Sequence, residues 1–159
     1  MTTRRKRPPS YEPKRLYAHA HHVGDLWSLP DGLDALSLPD RAAVLFTFFD
    51  SQIRRNGIQF WITNGFSESN DDLAALLDDL AAAGVDVEGP RSFLRAVVQV
   101  EALADAIDDL CGVVSDDALN HLEGTCQALQ DGYEFIRAPF FKELEQKYYP
   151  ARTRRKPAS

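Results

Sequence analysis

Residues 40–70 read DRAAVLFTFFDSQIRRNGIQFWITNGFSESN, and this stretch decides the fold. Its first half is the most apolar part of the chain, because apolar side chains recur there at helical spacing on two neighbouring stripes. The first stripe consists of Ala42, Leu45, Phe46, Phe49 and Ile53, and the second consists of Val44 and Phe48. A helix that is apolar around most of its circumference is usually buried on several sides. We therefore predict that this helix lies at the centre of the fold.

A helix end is predicted at Asn56-Gly57, because glycine commonly terminates helices and Arg54 and Arg55 occupy the preceding turn. A second apolar patch follows directly, formed by Ile58, Phe60, Trp61 and Ile62. We interpret the two patches as a hairpin of hydrophobic helices on which the other segments pack. The core residues predicted from this hairpin are Leu45, Phe46, Phe49, Phe60 and Trp61.

Amphipathic spacing predicts further helices on both sides of this hairpin. They run from Leu16 to Leu29, from a cap at Ser69 or Asn70 to a stop at Gly84, from Pro90 through Cys111, from a cap at Ser115 through Ile136, and over residues 140–149. In the first of them, Leu16, Ala20, Val23 and Trp27 share the apolar face. Ser69 or Asn70 is predicted to cap the second helix, since both residue types are favoured at that position. Pro139 is predicted to separate the last two helices, since proline interrupts the helical hydrogen-bond pattern.

Length and composition favour one domain. A chain of 159 residues with 44% hydrophobic and 26% charged residues suits a single globular core. We predict an all-α domain of about six helices over residues 16–150, between disordered basic ends at 1–15 and 151–159. No apolar run reaches the roughly 18 residues of a membrane span, and no secretory signal is evident. Two cysteines form no disulfide framework, so we expect a cytoplasmic protein.

The net charge of −6 is divided unevenly along the chain. Eight basic residues lie near the ends: Arg4, Arg5, Lys6 and Arg7, and Arg152, Arg154, Arg155 and Lys156. Without them, ten basic residues stand against 24 acidic ones, a net charge of −14. Residues 68–134 contain 16 acidic residues and only two basic ones, Arg91 and Arg95. The basic ends would contact nucleic acid or an acidic partner, keep the chain soluble, or fold back onto the acidic body.

Carboxylates form rows on two predicted helices. The expected partner-binding residues are Asp78, Asp79, Glu101, Asp105, Asp108 and Asp109. Like charges at i, i+4 destabilise a helix by about 0.2–0.5 kcal/mol per pair, and no basic residue interrupts the second row. One interpretation is that these faces are merely solvated. Another is that they bind a basic partner, either a DNA-binding protein or, for an immunity or antitoxin-like inhibitor, a basic toxin or nuclease.

Catalytic and metal-binding motifs are lacking in the sequence, which has no phosphate-binding glycine loop, nucleophile elbow or paired-cysteine zinc pattern. Cys126 with His121 is the one local nucleophile and base pair, but Cys126 falls in a leucine stripe where an inert buried thiol is expected. His19, His22 and Asp25 have helical spacing, yet further metal ligands are not evident. We therefore expect no enzyme activity, no metal and no cofactor.

The order of features over residues 40–149 resembles a known family. An apolar helix leads to Asn56-Gly57 and then to a glutamine-aromatic cluster that ends at Asn64. A leucine- and alanine-rich helix closed by Gly84 follows, then a long helix, and then the sequence Tyr133-Glu134-Phe135 before a final aromatic helix. In this order of features, the chain is similar to the family of DNA mimic protein nineteen, whose C-terminal-like domain is otherwise of unknown function.

This resemblance implies an all-helical fold without catalysis. It also implies a homodimer that presents carboxylates to a transcription regulator in place of DNA. From the charge distribution and the lack of a long apolar run, rather than from the resemblance, we expect nucleic acid to be contacted only by the basic ends, if at all, and we expect no membrane contact.

Overall fold

The computed structural model describes residues 7, 10–64, 66–109 and 116–152, without the side chains of residues 67, 68 and 107–109. Five α-helices are present in these residues: α1 (Lys14–Val23), α2 (Leu38–Thr63), α3 (Ser67–Ala82), α4 (Glu88–Asp109) and α5 (Asp116–Tyr148). Two short 3-10 helices, Leu26–Ser28 and Leu33–Ala35, connect α1 to α2. All regular structure in the described part is helical, so the predicted all-α fold is confirmed.

Helix α2 lies at the centre and packs against each of the other four α-helices. Its start is set by Ser37, whose hydroxyl accepts a hydrogen bond from the Asp40 N–H at 3.4 Å. The predicted core residues Leu45, Phe46, Phe49 and Trp61 are all buried. The prediction for Phe60 is wrong, because its side chain is 39% exposed. Ile58 and Trp61 share the buried face at i, i+3, and Phe60 falls on another side of the helix.

Gly57 interrupts α2 at the position predicted from the sequence. Its φ of 85° and ψ of 166° lie outside the helical region, yet helix continues on both sides of this single residue. The two apolar segments are therefore two helical stretches that meet at a kink at Gly57, with no loop between them. Gln130 of α5 bridges the break, since its side chain donates to the Ile53 carbonyl and accepts from the Ile58 N–H, both at 3.0 Å. One amide thus replaces helical hydrogen bonds that the break removes.

Gly57→Ala is expected to lower the free energy of unfolding by about 1–3 kcal/mol, because this backbone conformation is essentially restricted to glycine. An added Cβ would meet only Gln130 Oε1 at 3.7 Å, so the cost comes from the backbone. The matched control is Gly124→Ala in α5, where no atom lies within 4 Å of the added Cβ. That change is expected to stabilise by about 0.4–1 kcal/mol. Urea denaturation measures the free energy of unfolding of both variants. Equal changes would contradict the assignment of a glycine-restricted backbone conformation to Gly57.

Helix α5 continues through Pro139, so the predicted separation into two helices is wrong. Proline has no N–H to donate to the carbonyl of Phe135, and a helix-interior proline is costly. Burial on both sides of the proline offsets this cost, because Tyr133, Phe140 and Leu144 are all buried. Tertiary packing of an apolar face, rather than local propensity, sustains most helices in proteins.

The N-terminal segment differs from the prediction at both of its boundaries. Helix α1 begins at Lys14 and ends at Val23, before Gly24 with its φ of 125°, instead of covering residues 16–29. Trp27 therefore leaves the predicted buried face and is 70% exposed.

The predicted disordered arm extends too far, because Tyr11 donates a hydrogen bond to Glu145 and Arg137 donates to the Tyr11 carbonyl. Most of that arm, and residues 153–159, lie outside the described residues.

Candidate protein-interaction surface

The two predicted partner-binding residues on α3 are both ion-paired within the domain. Arg91 Nη2 lies 2.9 Å from Asp78 Oδ1, and Arg41 Nη1 lies 3.0 Å from Asp79 Oδ2. The Asp78 and Asp79 side chains remain 75% and 51% exposed. The negative charge of Asp78 and Asp79 is therefore partly compensated by arginines of the domain. This pairing was not predicted, because each arginine is distant in sequence from its aspartate. These two residues are weaker candidates for a partner than the sequence indicated.

The predicted residues Glu101 and Asp105 on α4 have a different environment. Burial raises the pKa of Glu101 above its usual value, and the negative charges of Asp105 and Asp71 raise it further. A hydrogen bond from Asn70 Nδ2 to Glu101 Oε2, at 2.9 Å, acts in the opposite direction. Because the pKa is raised, Glu101 binds its proton more tightly in the folded chain than in the unfolded chain. The resulting stabilisation of the fold is complete below the unfolded-state pKa of Glu101 and is lost as the pH rises through its folded-state pKa.

We name Asp71, Glu101 and Asp105 the α3–α4 acidic cluster. Among the described residues, the charged neighbours that shift the pKa of Glu101 are both acidic. The sequence analysis missed Asp71, because an acid in the first turn of a helix is explained by the macrodipole alone. The side chains of Asp108 and Asp109, predicted to extend this row, lie outside the described residues.

Asn70 connects this cluster to the core. Its side-chain carbonyl accepts from Trp61 Nε1 at 2.8 Å, while its amide group donates to Glu101. Asn70 is only 4% exposed, so both bonds form in a largely dry environment where they hold the carboxylate in place. The prediction that Asn70 or Ser69 caps α3 is wrong, because the helix begins at Ser67 and both residues lie inside it.

A groove between α3 and α4 adjoins the acidic cluster. Its volume is about 440 Å³, and Asn70 and Asp71 line one part of it. Apolar side chains also line it, among them Leu94 and Val98, the second of which is 47% exposed. Charged residues of both signs also line the groove: Asp78, Arg91 and Arg95.

A second group of polar side chains is buried inside the domain. Asp50 is fully buried and accepts two hydrogen bonds from Arg137, at 2.7 and 2.9 Å. The hydroxyl groups of Tyr133 and Tyr17 also donate to Asp50, and burial followed by the charge of Asp50 raises the pKa of Tyr133 well above its usual value. Both oxygens of Asp50 are thus doubly occupied. This arrangement fits a structural role better than acid–base chemistry, which needs contact with a substrate.

The remaining sequence candidates are dispersed. Cys126 is buried, and burial followed by the charge of Glu123 raises the pKa of its thiol, which disfavours the nucleophilic thiolate. His121, its predicted base, is exposed. His19 Nε2 lies 2.6 Å from Asp40 Oδ1, and the His19 ring packs on Tyr149 with centroids 4.5 Å apart. His19 therefore joins α1 to α2 and to the C-terminal segment.

Comparison with known proteins finds no match: no family model, curated protein or solved structure corresponds to this chain. The similarity to the DNA mimic family therefore remains a prediction from the order of sequence features. Within the part of the chain that the structure describes, no helix combines the length and apolar character needed to cross a membrane.

Proposed function

We propose that this protein is a non-enzymatic acidic binding protein whose α3–α4 acidic cluster binds a basic, DNA-binding partner such as a transcription regulator. The observation that carries the proposal is the environment of Glu101. Its carboxylate is held by Asn70 at 2.9 Å, and within the part of the chain that the structure describes the charged groups that shift its pKa are Asp105 and Asp71, both acidic. Such a concentration of negative charge costs stability in the free protein, and a cation supplied by a partner relieves that cost.

Electrostatic geometry supports a DNA-binding protein as the partner. Residues four positions apart on a helix are separated by about 6 Å along its axis, so Glu101 and Asp105 form a short row of fixed charge. Duplex DNA also presents closely spaced negative charge, which its protein ligands contact mainly through lysine and arginine. The buried Asn70 fixes one end of the row before binding, which reduces the entropy lost on association. Basic surfaces that recognise phosphates are therefore complementary to this cluster.

We expect that neutralising the cluster weakens partner binding by about tenfold or more. The reason is that three surface charge pairs with the partner are lost, each of which contributes about 0–1 kcal/mol. The variant combines Asp71→Asn, Glu101→Gln and Asp105→Asn. Immobilised protein is used to capture proteins from the fraction of a host lysate that binds DNA-cellulose, and captured proteins are identified by mass spectrometry. Duplex DNA added as competitor is expected to release a specific partner, since both compete for one basic surface.

The matched control combines Asp116→Asn, Asp117→Asn and Glu123→Gln on α5, all exposed and equal in charge change. Circular dichroism melting verifies that both variants remain folded. The control is expected to retain capture, whereas the cluster variant loses it. If both variants capture the same proteins with equal affinity, or DNA does not compete, the α3–α4 acidic cluster is not the binding surface.

A further inference from the structure

Trp27 is the most exposed of the large apolar side chains in the described residues, at 70%. It lies in the 3-10 helix that follows Gly24, where Asp25 accepts a hydrogen bond from the Trp27 N–H at 3.4 Å. The indole and Phe48 rings form a T-shaped contact, with centroids 5.8 Å apart and an interplanar angle of 88°. The backbone of Trp27 is therefore held by Asp25 and its ring by Phe48, although most of the side chain remains exposed to solvent.

A chain of ring contacts connects Trp27 to the core. Phe48 lies 5.9 Å from Phe66, and Phe66 stacks on Trp61 at 4.8 Å and 20°. Trp61 is only 1% exposed, so this aromatic row ends in the packed interior. Rigid aromatic anchors lose little conformational entropy on binding, which is one reason why tryptophan is enriched among interface residues with large energetic effects.

Beside Trp27 lies a cavity of about 290 Å³, which we name the Trp27 pocket. Its apolar lining comes from Leu26, Trp27, Leu33 and Phe66, and its polar lining from Ser69, Asp34 and Asp72. The side chains of Asp34 and Asp72 are both exposed. Aromatic rings attract cations through their faces, and carboxylates attract them by charge, so both parts of the lining select for positive charge.

We propose that the Trp27 pocket binds an arginine side chain of the basic partner, with the guanidinium against the indole and its N–H groups donating to Asp34 and Asp72. This inference rests on the proposed function, because it names a contact of the same partner. Arginine is favoured over lysine because its planar guanidinium stacks on aromatic rings and offers several donors in a fixed fork.

The neighbouring cavity indicates what lies beside that arginine in the partner. It shares Leu26 with the Trp27 pocket, has a volume of about 510 Å³, and runs between α1 and α2. Ala20, Val44 and Phe48 contribute apolar lining. An aliphatic residue is therefore placed next to the arginine in the probe peptide described below.

The test uses the full chain labelled with ¹⁵N and observes its two tryptophan indole N–H signals, assigned with Trp27→Phe. The probes are acetyl-Gly-Arg-Leu-Gly-amide and its citrulline and lysine analogues; citrulline keeps the shape of arginine without its charge. The arginine probe is expected to shift the Trp27 signal saturably at about millimolar concentration, as suits one side-chain contact. The citrulline probe is expected to bind at least tenfold more weakly, while the Trp61 signal stays in place.

Two variants complete the test. Asp34→Asn with Asp72→Asn is expected to weaken the arginine probe at least tenfold, whereas the control Asp116→Asn with Asp117→Asn leaves its affinity unchanged. Equal shifts from the arginine and citrulline probes, or equal affinities in the two double variants, would overturn the pocket assignment.

The α3–α4 cluster variant distinguishes this inference from the proposed function, because it leaves Trp27, Asp34 and Asp72 intact and should retain probe binding. If the arginine probe does not bind at the Trp27 pocket while the cluster variant still loses partner capture, only the pocket assignment is wrong. If the probe binds as expected but capture is insensitive to the cluster variant, the proposed role of the cluster falls instead.

Discussion

Arg137→Met is expected to lower the free energy of unfolding by about 3–5 kcal/mol, because it leaves the carboxylate of Asp50 buried without its cation. Asp50 is fully buried and Arg137 is 2% exposed. Arg137 Nε and Nη2 bind the two carboxylate oxygens at 2.7 and 2.9 Å, and Nη1 donates to the Tyr11 carbonyl at 2.8 Å. The side chain thus joins α5 to α2 and to the segment before α1.

The control is Arg54→Met, since Arg54 is partly exposed and its carboxylate partners lie 3.3 and 3.4 Å away. Exposed ion pairs contribute about 0–1 kcal/mol, so this variant is expected to remain close to the wild type. The double variant Asp50→Leu/Arg137→Met is expected to cost less than the sum of its single changes, because no unpaired charge remains. Urea denaturation followed by circular dichroism measures all of them. If Arg137→Met and Arg54→Met were equally mild, the buried pair would not have the energetic role assigned to it.

Trp61→Ala is the second variant for which a large loss is expected, about 3–5 kcal/mol from removed contacts and the cavity left behind. Trp61 is 1% exposed, stacks on Phe66, and makes an edge-on contact with Phe49 at 4.9 Å. Its indole N–H also donates to Asn70, which in turn holds Glu101. The loss is therefore expected to extend from the core to the α3–α4 acidic cluster.

Trp61→Phe separates packing from hydrogen bonding, since it keeps an aromatic ring but removes the donor to Asn70. It is expected to be milder than Trp61→Ala while still weakening partner capture, because Asn70 and Glu101 lose their fixed position. Trp27→Ala is the matched control for stability, with an expected change within about 0.5 kcal/mol for an exposed side chain. A similar loss of stability from Trp27→Ala and Trp61→Ala would show that burial does not distinguish the two tryptophans.

Both predictions concern residues whose importance depends on contacts between distant segments. Asp50 is the one acid within the apolar part of α2, a position that marks it as unusual, but its partner Arg137 lies 87 positions away. Likewise, Asn70 has the residue type of a helix cap, and only its contacts with Trp61 and Glu101 reveal a positioning role. Sequence spacing reports neighbours within a helix, whereas these bonds join different helices.

The errors in the predicted helix boundaries come from local signals, which do not decide by themselves where a helix ends. Pro139 is a local signal for a helix end, yet burial of the residues around it keeps α5 continuous. Gly24 is a local signal of the same kind, and there the helix does end, which moves Trp27 from the predicted core to the surface. Local propensities amount to about 1 kcal/mol for glycine and about 3 kcal/mol for proline, which burial of several large side chains can offset.

By itself, the amino-acid sequence determined the all-α class, the central position of α2, the break at Gly57 and the excess of negative charge. These features follow from the spacing of apolar residues, from backbone restrictions and from counting charges, all of which are local or additive. Only the tertiary structure decided which carboxylates are compensated. It pairs Asp78 and Asp79 with arginines, groups Asp71 with Glu101 and Asp105, and exposes Trp27 beside two further carboxylates. Electrostatic interactions depend on distance and burial in the folded chain, so the order of residues alone does not specify them.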